Sequence, residues 1–156
     1  MRQLNRAFDK LLFLATAVSS IAFFIIIIIA VASRYIFHAP VLASIELSRL
    51  FFVWSCFLAA AMAYRRRAHV CITFIFEKIS SSMQKAVTFV IHLLILAFMA
   101  IVFYQSLLVT SLLWPSKLPM LQITQAWFYV PVPIISIIIF FYTLEFLWHD
   151  LRSAED

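Results

Sequence analysis

Residues 34–76 read RYIFHAPVLASIELSRLFFVWSCFLAAAMAYRRRAHVCITFIF, and they hold the clearest topological signals of the chain. It opens with a short turn, continues as an uncharged apolar run from Leu50 to Tyr64, and stops at three arginines, residues 65–67. An apolar run that ends at a cluster of positive charge is typical of a helix crossing a membrane. We expect one further membrane helix before this stretch and two after it.

The composition of the whole chain agrees with that reading. Its 156 residues are 65% hydrophobic and only 12% charged, whereas about 25% of a soluble domain is charged. The net charge of +5 does not indicate nucleic-acid binding, because the basic residues flank apolar runs and form no basic domain. Composition therefore predicts an integral membrane protein and excludes an ordinary soluble domain.

Hydropathy predicts an all-α membrane domain over residues 1–156, with four spanning helices. The spans are expected over residues 11–33, 44–64, 82–114 and 125–148. Residues 68–80 carry polar and apolar side chains on opposite helical faces and are too short to cross. We expect this amphipathic helix to lie in the membrane interface, between helices 2 and 3.

The first span also resembles a cleavable secretion signal, because basic residues precede it and small residues end it. Its uncharged run extends from Leu11 to Ser33. A signal core is about 7 to 15 residues long, whereas about 20 residues cross a bilayer. The length favours a retained membrane helix.

Two prolines leave two interpretations for the start of helix 4. Either a kinked helix begins near Gln125, or a short surface helix precedes a span from Pro131 to Trp148. The kinked helix is favoured, because proline inside a membrane helix is tolerated where neighbours and water satisfy the freed carbonyls.

Basic residues are distributed unequally between the two sides of the predicted bundle. Most of them lie near the termini and in the loop between helices 2 and 3, whereas the opposite loops carry only Arg34, Arg49 and Lys117. The excess of positive charge predicts that both termini are cytoplasmic. We expect Arg65, Arg66 and Arg67 to set this topology and to bind anionic lipid headgroups, at about 1 kcal/mol per charge.

The outer ends of helices 1 and 2 carry the candidate partner residues, with Trp54 and Lys117 at the same boundary. Two interpretations of Arg34, Glu46 and Arg49 remain open. The arginines reach lipid phosphates while Glu46 caps helix 2, or Glu46 pairs with one arginine and shapes a surface for a partner protein.

The middle of the predicted membrane region lacks functional side chains. No Asp, Glu, Lys or Arg lies at mid-depth in any span, although a transporter needs polar groups there to hold a solute or coupling ion. His, Cys and carboxylate residues do not form clusters in the sequence. The sequence therefore gives no indication of a metal site, a cofactor site or an enzyme active site. Large apolar helix faces without chemistry predict an accessory subunit that packs against another membrane protein.

Many positions from residue 34 to residue 70 follow the motif of one known family. The matching residues are Arg34, Tyr35, Phe37, Glu46, Arg49, Phe52, Val53, Trp54, Phe57, Leu58, Ala60, Ala61, Arg65, Arg66, Arg67, His69 and Val70. The chain departs from the family pattern at His38 for Asn, Ala43 for Trp, Ile45 for an acid and Ala59 for Gly. With this motif the chain resembles the small permease subunit, DctQ or SiaQ type, of tripartite ATP-independent periplasmic (TRAP) transporters.

The resemblance implies a non-catalytic subunit of the bacterial inner membrane. It would enlarge the scaffold of a large membrane subunit that couples uptake to sodium, while a periplasmic binding protein delivers an organic acid anion such as sialic acid or a C4-dicarboxylate. Outer residues near Arg34, Glu46, Arg49 and Lys117 would contact that binding protein. The alternative is a stand-alone four-helix, proton-coupled exporter, which would need a membrane-embedded carboxylate that helix 1 does not contain.

Overall fold

The computed structural model describes residues 2–65 and 81–152, and four long helices dominate them. The helices are α1 (Arg2–Tyr35), α2 (Ala43–Arg65), α3 (Ser81–Leu112) and α4 (Pro131–Arg152), with a 3-10 helix at Gln125–Phe128. Each contributes to a stretch long and apolar enough to cross a membrane. The expectation of an all-helical chain with four spans is confirmed, while the interfacial helix expected at 68–80 lies outside the described residues.

Helix α1 begins earlier, and helix α3 ends earlier, than hydropathy predicted. Helix α1 begins at Arg2, ahead of the apolar run that starts at Leu11. A helix continues past the membrane edge without penalty, because its backbone hydrogen bonds are internal. Helix α3 ends at Leu112, before the turn that contains Trp114 and Pro115. Apolar runs therefore mark where the lipid begins, and they do not mark where a helix begins.

The start of the last helix differs from the favoured interpretation. The chain forms a 3-10 helix at Gln125–Phe128 and then starts α4 at Pro131, so the helix is interrupted and does not run on with a kink. Proline suits the first turn of a helix because its missing N–H has no partner to lose there. The membrane-crossing stretch, Gln125–Trp148, includes both pieces.

Helices α2 and α4 form the centre of the bundle. Helix α1 packs on α2, α2 packs on α4, and α4 packs on α3. The core comprises Leu12, Leu58, Ala61, Tyr64, Ile135, Ile139 and Tyr142. Helices α1 and α3 leave broad apolar faces exposed, which is no liability in a bilayer because lipid tails are as apolar as leucine.

Small side chains let α2 and α4 approach each other in a chain that has no glycine. Ala61 and Thr143 are both fully buried, whereas Ala60 and Ala63 on α2 are exposed. The Tyr64 hydroxyl lies 2.6 Å from Thr143 Oγ1, so the two helices also share a buried hydrogen bond. Close packing and interhelical hydrogen bonds are the main forces between helices in lipid.

Candidate functional site

One end of the bundle, here called the hairpin end, contains residues 36–42 between α1 and α2 and residues 113–130 between α3 and α4. In the first connection His38 has a φ of 50°, and the Ala39 amide donates to the Ser33 carbonyl at 3.1 Å. Positive φ is tolerated best by glycine, and after it by Asn, Asp and His. This backbone requirement explains why His38 can stand where the related motif has Asn.

The second connection is a compact, internally bonded loop. The Leu118 amide donates to the Ile123 carbonyl at 2.8 Å, and the Thr124 hydroxyl donates to the Trp114 carbonyl at 2.7 Å. Leu118 is buried beneath the loop, and Gln122 has a φ of 55°. The hairpin end therefore has a defined backbone shape, which a surface for a partner protein requires.

Glu46, in the first turn of α2, binds this loop. Its carboxylate accepts hydrogen bonds from the Leu121 amide at 2.8 Å and from the Met120 amide at 3.2 Å. Neither ion pair found among the described residues involves Glu46, and Arg34, Arg49 and Lys117 are exposed. Glu46 thus ties α2 to the α3–α4 loop, instead of pairing with an arginine as one sequence-based interpretation held.

Trp54 makes a second connection between α2 and the same loop. Its indole Nε1 donates to the Trp127 carbonyl at 3.1 Å, and the two indole rings lie 6.4 Å apart between centroids. Trp54, which sequence analysis selected as a partner or structural residue, is here an internal contact that holds the 3-10 helix.

We expect Trp54→Phe to lower the free energy of unfolding by about 1 kcal/mol, since it deletes one hydrogen bond and keeps most of the ring. Unfolding of the purified chain in detergent, followed by tryptophan fluorescence and circular dichroism, measures the change. Trp114→Phe is the matched control, because Trp114 is exposed at the same end and exposed substitutions usually change stability by less than about 0.5 kcal/mol. Equal losses in the two variants would contradict the assigned bond.

The opposite end, here called the ion-pair end, is organised around Arg65 at the end of α2. Its Nη1 lies 2.6 Å from Glu145 Oε2 on α4, and its Nε lies 3.5 Å from Asp9 Oδ1 on α1. The guanidinium stacks over the Tyr142 ring, 4.7 Å from the centroid, and the Tyr142 hydroxyl donates to Asp9 at 3.3 Å. One arginine therefore links three of the four helices.

This arrangement changes the interpretation of the triple arginine. Arg65 has protein partners and is not simply directed to lipid headgroups, while Arg66 and Arg67 lie outside the described residues. Asp9 and Glu145 were not predicted as its partners. Alternating spans place the start of helix 1, the end of helix 2 and the end of helix 4 on one side of the membrane, but this does not tell which carboxylates reach Arg65.

A cleft of about 490 Å³ adjoins Arg65 between α1 and α2. It is lined by Asp9, Lys10, Leu12, Phe13, Leu14, Met62 and Arg65. The charged groups lie beside apolar side chains, and the two nearest carboxylates already bind Arg65. Within residues 2–65 and 81–152, no group of three or more His, Cys, Asp or Glu residues could hold a metal ion.

Four apolar spans, with ion pairs and hydrogen bonds at the helix ends, define a multi-pass helical-bundle protein of the membrane. Residues 7–153 match the sequence model of the family described as tripartite ATP-independent periplasmic transporters, DctQ component. Because this match covers almost the whole chain, the protein belongs to the DctQ family of TRAP transporter small permease subunits. Its location is the bacterial inner membrane.

Two relatives from Haemophilus influenzae illustrate the similarity. A protein of strain ATCC 51907 named as a TRAP transporter small permease protein is 24% identical over 156 residues, which cover 99% of this chain and 92% of the relative. The sialic acid TRAP transporter permease protein SiaT of strain 86-028NP is 29% identical over 122 residues. That match covers 78% of this chain and only 20% of the longer SiaT protein.

Proposed function

We propose that this chain is the non-catalytic small subunit that supports a large, sodium-coupled TRAP membrane subunit. The observation that carries the proposal is the distribution of charge. Arg34, Glu46, Arg49 and Lys117 lie at or near the hairpin end, and Asp9, Arg65 and Glu145 lie at the ion-pair end. Solute and sodium therefore bind to the large subunit, and this chain supplies a stiff apolar wall.

The relationship to SiaT supports the need for a large partner. The match covers only 20% of SiaT, which is named as a sialic acid TRAP transporter permease protein, and this supports a role beside a larger membrane subunit. The name of that relative supports an organic acid anion as the solute, with sialic acid or a C4-dicarboxylate as the two candidates. The exposed apolar faces of α1 and α3 provide the surfaces for the large subunit and for lipid.

The proposed orientation places the hairpin end in the periplasm and both termini in the cytoplasm. The excess of basic residues near the termini and after α2 supports this orientation. A periplasmic binding protein would then meet the exposed Arg34, Arg49 and Lys117.

A cysteine introduced at Lys117 should react with an impermeant maleimide added outside intact cells. If the cysteine reacted only after lysis, the hairpin end would face the cytoplasm, and the proposed orientation would be wrong.

Reconstitution tests the proposed function directly. Vesicles with a sodium gradient should take up sialic acid or a C4-dicarboxylate only when this chain, a candidate large subunit and a solute-binding protein are all present. Vesicles that lack this chain, or that contain it alone, are the controls. Transport by the isolated chain would overturn the accessory role, and proton-driven export by it would favour the stand-alone exporter instead.

A further inference from the structure

The loop between α3 and α4 presents two consecutive backbone amides to one carboxylate. The Met120 amide lies 3.2 Å from both oxygens of Glu46, and the Leu121 amide lies 2.8 Å from Oε2. The next residue, Gln122, has left-handed backbone geometry, and its amide donates to the Leu118 carbonyl at 3.1 Å. Successive amides around a left-handed residue form a concave site for anions.

The tip of the loop has few other attachments to the helices. Met120 is half exposed, and the Gln122 side chain donates within the loop, to the Pro119 carbonyl at 2.7 Å. A second side-chain bond from α2 to this connection is made by Trp54, at Trp127 beyond the tip. Glu46 is therefore the side chain that fixes the tip of the loop against α2.

We propose that residues 118–122 form an anion-binding site that Glu46 occupies from within the chain. Glu46 acts through the Met120 and Leu121 amides as a positioning residue, and it sets the shape of the face on which the periplasmic binding protein docks. The docking role rests on the proposed function, whereas the anion site does not. Glu46→Ala removes the carboxylate from the site. The empty site should then bind a small free carboxylate, which accepts the same hydrogen bonds as the Glu46 side chain.

Hydrogen exchange of the purified full-length chain tests the anion site. In Glu46→Ala the amides of the loop tip should exchange about tenfold faster, because each loses a charge-assisted hydrogen bond. Sodium formate should restore slow exchange in that variant, while sodium chloride at equal ionic strength should not. Unchanged exchange in Glu46→Ala, or the same response to formate and chloride, would overturn the site.

Glu46→Gln is the second variant and controls for loss of the side chain. Its amide oxygen still accepts one hydrogen bond, so exchange should be intermediate between wild type and Glu46→Ala. Its side chain still fills the site, so formate should have no effect on it. A formate response in Glu46→Gln as large as in Glu46→Ala would show that formate acts elsewhere and would overturn the proposal.

Uptake by the reconstituted transporter tests the docking role. Glu46→Ala should raise the binding-protein concentration that gives half-maximal uptake by about threefold or more and leave the maximal rate unchanged, because the docking face is displaced and the transport step is not. Formate should reverse the increase. A lower maximal rate with unchanged half-saturation would overturn the docking role. Failure of the wild-type chain to support uptake would instead refute the proposed function and leave the exchange result intact.

Discussion

Replacing Ala61 with leucine is expected to destabilise the bundle by about 3 kcal/mol, at the upper end of the usual cost of overpacking a core. Ala61 is fully buried in the core cluster, which also contains Leu58 and Ile135. Three additional carbons have no space there unless the surrounding helices separate. If α2 separated from α4, the Tyr64–Thr143 hydrogen bond would also break.

Ala60→Leu is the matched control, because Ala60 is the preceding residue of the same helix and is exposed. In the isolated chain its added side chain meets detergent, so stability should change by less than about 0.5 kcal/mol. Thermal unfolding of both variants in the same detergent compares them. If the two substitutions had equal effects, Ala61 would not lie at a tightly packed position of the core.

Arg65→Gln is expected to cost about 2 kcal/mol of unfolding free energy. The expected cost lies between the values for exposed and buried ion pairs, because the Arg65 side chain is 19% exposed whereas Asp9 and Glu145 are 43% and 47% exposed. Without the guanidinium, Asp9 and Glu145 lose their ion pairs and keep their negative charges at the same end of the bundle, and the Tyr142 ring loses its cation. The ends of α1 and α4 should then separate from α2.

A second substitution distinguishes the ion pairs from a general effect of charge. Arg65→Gln combined with Glu145→Gln should be less destabilised than the sum of the two single variants, because both single variants break the same Arg65–Glu145 ion pair. Arg49→Gln removes an exposed arginine of the same helix and should be nearly neutral. Additive losses in the double variant would mean that Arg65 and Glu145 do not interact.

Hydropathy predicted the four spans because lipid imposes a strong and local constraint on sequence. Most residues of a span must be apolar, and its backbone must bond within its own segment, so each helix can be recognised alone. The helix boundaries were less predictable, because α1 continues beyond the lipid to Arg2 and the helix is interrupted before Pro131. Those features depend on water and on local turn chemistry.

The candidate residues were also predictable in part. Glu46, Trp54 and Arg65 could be selected from sequence because charged and indole groups mark the ends of membrane spans. Their partners could not be selected in the same way. Glu46 binds Leu121, 75 positions away, and Arg65 binds Glu145, 80 positions away. Neither partner follows from spacing along the chain.

Residue order alone was enough to predict a membrane protein with four spans and the DctQ motif, because hydrophobicity, helix length and loop charge are local properties of the chain. The contacts by which Glu46 holds a loop and Arg65 joins three helices became known only from the folded bundle. Such contacts depend on how each helix is rotated about its axis. In lipid, that rotation is set by packing against neighbouring helices and not by hydrophobicity alone.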